Sequence, residues 1–184
     1  PISKCPFPEF TILRRAGGGI VLTLASAEAG LNIRSGKPHK IFVRLTGVDW
    51  SQSRKIRTQI DTLIVRIEDA VPADRKTGNG VTGMGIAIDA RNVTLPQAWK
   101  PPLGTGLSRM SVEAVAIGPF QPRGTLSEAL VRWRDAGGAL EISVFALDWE
   151  ALSLRGDGTF ALDEKLQPQG AMTAEIDGVE KTSD

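Results

Sequence analysis

Apolar and polar residues alternate along most of this chain, and that alternation predicts strands separated by turn chemistry. In Ile41–Leu45, the residues Ile41, Val43 and Leu45 fall on one side of an extended chain, with Phe42 and Arg44 on the other. Phe10–Arg15 and Gly19–Ala25 flank Ala16-Gly17-Gly18, which suits a tight reversal. Leu31–Arg34 and Lys40–Leu45 flank a second turn signal, Ser35-Gly36-Lys37-Pro38. Ile56–Ile67 carries two periods at once. Ile56, Ile60, Leu63, Ile64 and Ile67 fit helical spacing, whereas Leu63, Val65 and Ile67 alternate with Ile64, Arg66 and Glu68. The β-branched composition favours a strand from about Asp61, with a short helix ahead of it as the alternative.

Pro72–Gly85 reads as a polar, glycine-rich loop, Ile86–Leu95 as a strand and Leu107–Ile117 as another. Between those two strands, Pro96–Gly106 is either a long connection or a boundary dividing the chain into 1–95 and 107–184. The clearest helix is Leu126–Ala136. Thr125 is its N-cap, Glu128 completes a capping box, Leu126, Ala129, Leu130 and Trp133 form one apolar face, and Gly137 stands at the left-handed C-terminal position. Leu140, Ile142 and Val144 then alternate with polar residues, and Phe145, Leu147 and Trp149 continue on the opposite parity. The switch predicts a bulge, or a strand buried on both faces. Leu152 and Leu154 begin a short strand. Gly156-Asp157-Gly158 reads as a turn into Phe160 and Leu162, and Pro168 with Gly170 as a turn into Met172, Ala174 and Ile176.

The fold class expected is mainly β, a β-rich α+β arrangement: a long curved antiparallel sheet of meandering strands with one or two helices packed on it. One domain over 1–184 is expected. No run approaches the roughly 18 apolar residues of a spanning helix. The chain starts at Pro1 with no signal-peptide pattern, so it reads as a piece of a longer protein whose anchor or signal lies upstream. Formal net charge is +1, which argues against nucleic acid as a partner. The short basic clusters Arg14-Arg15 and Arg54-Lys55-Ile56-Arg57 read as solvated strand ends. Cys5 is the only cysteine, so no internal disulfide forms.

Motifs that carry chemistry do not converge. Gly78-Asn79-Gly80-Val81-Thr82-Gly83 matches a dinucleotide-binding glycine pattern, but a charged loop precedes it and an alternating strand follows, where the mechanism needs a strand and then a helix N-terminus. Gly36-Lys37 has the wrong upstream spacing and Pro38 in place of Ser or Thr, so it is no phosphate loop. His39 is the sole histidine. It lacks spaced metal-ligand partners and reads as a surface or turn residue. Asp157, Asp163 and Glu164 fall in turn-like positions, where Asp caps its own backbone. Asn92-Val93-Thr94 is a formal glycosylation sequon inside an expected strand. No cofactor and no metal are expected. Trp133 and Trp149 are expected to pack helix against sheet. The alternative is that Trp133, Phe145, Leu147 and Trp149 line an apolar cleft for an acyl chain.

Trp133-Arg134-Asp135-Ala136-Gly137-Gly138-Ala139-Leu140-Glu141-Ile142 resembles a signature of the domain of unknown function 2125 family of alphaproteobacterial envelope proteins. Trp149, Gly156-Asp157-Gly158-Thr159, Leu162-Asp163 and Gln167-Pro168-Gln169-Gly170 extend the likeness over roughly Gly118–Gly178. The resemblance implies a protein anchored at the inner membrane by an N-terminal segment and facing the periplasm. It also implies a long antiparallel sheet, broadly like that of AsmA-type proteins that handle envelope lipids. It carries no catalytic residue.

The function expected is that of a non-enzymatic envelope protein, with a groove of the sheet binding lipid or another apolar ligand, or an envelope protein as partner. A structural or protein-interaction module that uses exposed sheet edges is the alternative. A hydrolase is the third reading, and it would need His39 or a carboxylate pair buried in a cleft.

Overall fold

The computed structural model describes residues 10–14, 20–34, 37–53, 56–70, 83–121 and 123–178. Ten strands make one sheet: β1 (Phe10–Arg14), β2 (Ile20–Leu24), β3 (Ser26–Arg34), β4 (Lys37–Ser53), β5 (Ile56–Ala70), β6 (Gly83–Thr94), β7 (Gly106–Ile117), β8 (Ala139–Trp149), β9 (Leu152–Leu162) and β10 (Pro168–Asp177). A 3₁₀ turn, Gln97–Trp99, lies between β6 and β7, and the helix α1 (Leu126–Asp135) lies between β7 and β8. The spatial order is β1-β2-β4-β5-β6-β7-β8-β9-β10, every pair antiparallel, with β3 also paired to β4. β4 is long enough for two neighbours on one side, β3 along its first part and β2 along its last. From β4 onward each strand pairs with the next in sequence, so the meander expected from the alternation is what forms.

Three readings are corrected. The helical alternative for Ile56–Ile67 is overturned, because the whole segment lies in β5 and pairs with β4 and β6. Its β-branched residues fill the pleated surface of a central strand, and the helical spacing of the isoleucines is incidental. Gly156-Asp157-Gly158 is not a turn. It lies inside β9, paired with β8 on one side and β10 on the other. The glycines admit a close neighbour rather than a reversal: a Cβ on Gly158 would stand 2.6 Å from the carbonyl oxygen of Ala171 on β10. The reversal comes later, at Asp163–Gln167. There Asp163 Oδ1 accepts from the backbone N–H of Lys165 (2.8 Å) and of Gln167 (2.7 Å), and Leu166 turns the chain at φ 60°. Pro168 and Gly170, expected to turn the chain, belong to β10.

Four adjacent strands pass over one residue at the same level. On β4 the series Ile41, Val43, Leu45 resumes at Val48. On β5 it runs Ile67, Val65, Leu63 and then Ile60, on β6 Ile86, Ile88, Ala90 and then Val93, and on β7 Val112, Met110 and then Leu107. The residues passed over are Gly47, Asp61, Asn92 and Ser108, and the ladders pair the residues on either side of them. Gly47 (φ 58°) and Asn92 (φ 49°) take left-handed backbone conformations to do this. One skipped residue would invert every side chain beyond it. Because all four strands skip together, the registers hold and one face stays apolar on both sides of the line.

β8 does not skip at that level, and the β7–β8 register shifts between Leu107 and Arg109. It carries its own extra residue at Ser143–Val144, seen against both β7 and β9. That is the bulge predicted by the parity switch. Leu140, Ile142, Phe145, Leu147 and Trp149 consequently share one face.

A buried cluster of the face lies along the skip line, where Val48, Ala90, Val93 and Leu107 are buried. Ile60, Leu63, Leu95, Met110, Leu147 and Trp149 pack against Ala90, Val93 and Leu107. The Pro96–Thr105 connection closes over this end. Pro96 is fully buried, Leu95 N donates to Thr105 O (2.8 Å), and the Trp149 indole donates to Gly104 O (2.8 Å). The connection therefore links two neighbouring strands of one sheet.

Candidate functional site

The apolar residues line up across strands as well as along them. One row runs Ile41, Ile67, Ile86, Ala114, Ile142, Gly158, Met172, and the next runs Val43, Val65, Ile88, Val112, Phe145, Gly156, Ala174. A third, Leu45, Leu63, Ala90, Met110, Leu147, Leu154, Ile176, borders the skip line. No charged residue enters any of the three. Seven strands span about 29 Å at the usual interstrand spacing. Ala114 in the first row is buried, but the row members on β4 and on the edge strand β10 are only partly covered. Ile41 is 37% exposed, Met172 41% and Ile176 54%.

The opposite face carries the charged side chains, and several of them are paired. Lys40 pairs with Glu68 (2.8 Å), Arg44 with Glu28 (3.6 Å), Arg155 with Asp148 (2.7 Å), and both Arg91 and Arg109 with Asp89 (3.0 and 3.4 Å). Arg57 Nε donates to Asp49 Oδ1 (2.9 Å) beyond the skip line. Hydrogen bonds from these cations hold Asp49, Glu68 and Asp148 below the ordinary carboxylate range, against the opposing effect of partial burial.

The four residues expected to line a cleft separate into two places. Phe145, Leu147 and Trp149 share the apolar face of β8, with Trp149 packed at the skip line. Trp133 lies at the other end of that strand. Its ring is buried, and its indole donates to Ile117 O (2.9 Å). Trp133 does dock the helix on the sheet, whereas Trp149, about 30 Å along β8, packs under the Pro96–Thr105 connection. The expectation that both tryptophans join helix to sheet is corrected for Trp149. A strand reading places it on a face but does not say which end of the strand the helix covers.

α1 is built as its sequence reads. Glu128 N donates to Thr125 Oγ1 (3.3 Å), and Thr125 N donates to Glu128 Oε2 (2.9 Å), so both halves of the capping box form. Arg134 Nη1 reaches the carbonyls of Asp163 (3.1 Å) and Glu164 (3.0 Å), tying the helix to the β9–β10 turn.

A family model described as an uncharacterized protein conserved in bacteria, domain of unknown function 2125 (DUF2125), matches residues 7–184. The chain belongs to the DUF2125 family. The likeness first seen over Gly118–Gly178 thus extends over essentially the whole sequence. Neither the search of curated proteins nor that of solved structures returned a match.

The sole histidine of this DUF2125 chain stands in the open. His39 lies in β4, beside the turn rather than in it, and its Nδ1 is 2.9 Å from Asp69 Oδ2. The two side chains are 37% and 71% exposed, so this pair lacks the buried cleft a His39-dependent hydrolase requires. Asp163 caps its own turn as expected, whereas Asp157 sits mid-strand in β9. Among the described residues no group of three or more His, Cys, Asp or Glu could hold a metal ion, and no helix is long and apolar enough to cross a membrane. The dinucleotide-like glycine run lies outside the described residues except for Gly83, which opens β6. Sequence reading did not single out the β4–β7 part of the apolar face. Its signal was present as alternation, but the rows depend on cross-strand register.

Proposed function

We propose that this DUF2125 protein is a non-enzymatic, periplasm-facing envelope protein, held at the inner membrane, that carries a lipid or another apolar ligand against the apolar face of its sheet. The observation that supports this reading is the set of uncharged rows across β4–β10, left partly exposed where neither α1 nor the Pro96–Thr105 connection covers them. An exposed apolar patch of this extent is uncommon on a monomeric soluble protein, and it marks a surface that something apolar contacts. The charged side chains of the other face support the same polarity, one side toward water and one toward the ligand. The periplasmic location rests on the envelope character that the family likeness implies.

The test is native mass spectrometry of the protein from a bacterial host, with organic extraction of what it carries. A phospholipid or fatty acid is expected on the wild type. Ile41→Glu and Met172→Glu should remove it at a smaller cost in stability than changes in the buried cluster, because both side chains are partly exposed. Leu147 and Trp149 are poorer choices, since they pack on Ala90, Val93 and Leu107. A bare polypeptide mass from wild-type protein would sink the ligand reading. Protection of the intact protein from external protease in spheroplasts would sink the periplasmic one.

A further inference from the structure

β10 ends the strand order, and all ten of its residues are exposed. Its pairing with β9 runs from Pro168–Leu162 to Asp177–Ser153 without a register shift. Natural edge strands are blunted by bulges, by Pro or charged side chains, Lys above all, or by brevity. β10 has ten residues, no lysine, no bulge, and its one proline at the first position. At the other end of the order stands β1, and β3, beside β4 on that side, is different from β10: its register against β4 breaks between Asn32 and Ile33. The backbone donors and acceptors on the outer side of β10 are paired to no described strand.

The side chains say what kind of strand would fit. Met172, Ala174 and Ile176 continue the apolar rows, and Thr173, Glu175 and Asp177 lie on the polar face. On that face Glu68, Asp89 and Asp148 of the inner strands have a cation, whereas Glu113, Glu141 and Asp157 have no ion-pair partner among the described residues. Glu175 and Asp177 have no ion-pair partner among the described residues. Arg155 stands opposite Glu175 in register but is engaged by Asp148 at 2.7 Å. An added strand would place one set of side chains beside Met172, Ala174 and Ile176, and the alternate set beside the two carboxylates. Pairing with β10 of a second copy does not meet this demand. β10 has neither Lys nor Arg, so two copies would gather four carboxylates and supply no cation.

We propose that the outer edge of β10 is a strand-addition site for an extended basic segment of a partner protein, one in which aliphatic residues alternate with Lys or Arg. Backbone hydrogen bonds supply the pairing, and Glu175 with Asp177 selects the charge. This inference is independent of the apolar-ligand reading, since it concerns the edge of the sheet and not its face.

The probe is a ten-residue peptide alternating Lys with Val, blocked at both ends, beside its counterpart with Glu for Lys. Binding is followed by calorimetry at low salt, and amide hydrogen exchange locates it. The Lys peptide is expected to bind and to slow exchange in β10. In Glu175→Lys/Asp177→Lys its affinity should fall about tenfold or more, and the Glu peptide should gain, because two attractive cross-strand pairs become repulsive. Should that double variant fail to fold, Glu175→Gln/Asp177→Asn serves, with a weaker salt dependence as the expected result. Equal binding of the two peptides to wild type, unchanged affinity after charge reversal, or protection appearing on β3 instead would overturn the proposal. So would β10 protection that grows with protein concentration in the absence of peptide, which would signal self-pairing.

Discussion

Asn92 Nδ2 donates to Asp61 Oδ2 at 2.8 Å, joining the two residues that β5 and β6 pass over at the same level. Asn92 tolerates its φ of 49° better than most side chains. The bond fastens the point where both strands switch parity and keeps Val93 and Ile60 on the apolar face. Asn92→Gly should cost about 1 kcal/mol, the hydrogen bond alone, because glycine adopts the same backbone freely. Asn92→Val should cost about 2–3 kcal/mol, since a β-branched residue is strained there. Urea unfolding of the two variants compares them, and equal losses would mean that the backbone conformation is not what matters.

Trp133 and Gly138 fit as a pair. A Cβ on Gly138 would fall against the Trp133 ring. Gly138→Ala should therefore destabilise by about 1–3 kcal/mol through overpacking, and Trp133→Ala by about 3–5 kcal/mol. The double variant should lose less than the sum, because removing the ring relieves that part of the clash and leaves only the approach to the Trp133 carbonyl oxygen, 2.6 Å from the added Cβ. Strict additivity in a denaturation cycle would contradict the contact.

Gly158 keeps β9 and β10 together. Valine there would drive its side chain toward Ala171 O and Met172. The expected result is faster amide exchange in β10 and the adjoining part of β9, with the strands around Ala90, Val93 and Leu107 still protected. In a single-layer sheet the outermost hairpin opens without the centre. Uniform loss of protection across all strands would show tighter coupling than this architecture implies.

The pH dependence follows from Asp49, Glu68 and Asp148, whose folded-state pKa values are depressed by Arg57, Lys40 and Arg155. A depressed carboxylate contributes stability that is complete above its unfolded pKa, about 4. That contribution is lost as pH falls through the folded value. Stability should be level from about pH 5 to 8 with respect to these groups and decline below about pH 4. The pairs are on the surface, so each contribution is small, and high salt should reduce the decline. Thermal melts across pH at low and high salt measure both effects.

Much of this architecture can be read along the chain because its determinants are local. Thr125, Glu128 and Gly137 mark the helix within a few residues of where it forms, and the parity change from Ile142 to Phe145 marks the β8 bulge. The candidate site was less legible. Phe145, Leu147 and Trp149 were recognisable as one face of a strand, but Trp133 joined them only by residue type. Ile41, Ile67 and Ile86 are 26 and 19 residues apart in sequence and become one row only through cross-strand register. Gly156-Asp157-Gly158 misled because glycine's freedom to turn and its lack of a side chain have the same sequence signature.

What the amino-acid order settled unaided was the helix with its caps, the predominance of strands and the β8 bulge, since periodicity and capping act over a few residues. Folding in three dimensions decided the rest. It aligned Gly47, Asp61, Asn92 and Ser108 into one line, so that four strands reversed parity together. Among the described residues it left Ile41, Met172 and Ile176 of the apolar face partly exposed, and it placed β10 at the end of the strand order. Each of these depends on which strands are neighbours and in what register, and pairing energies between distant segments decide both.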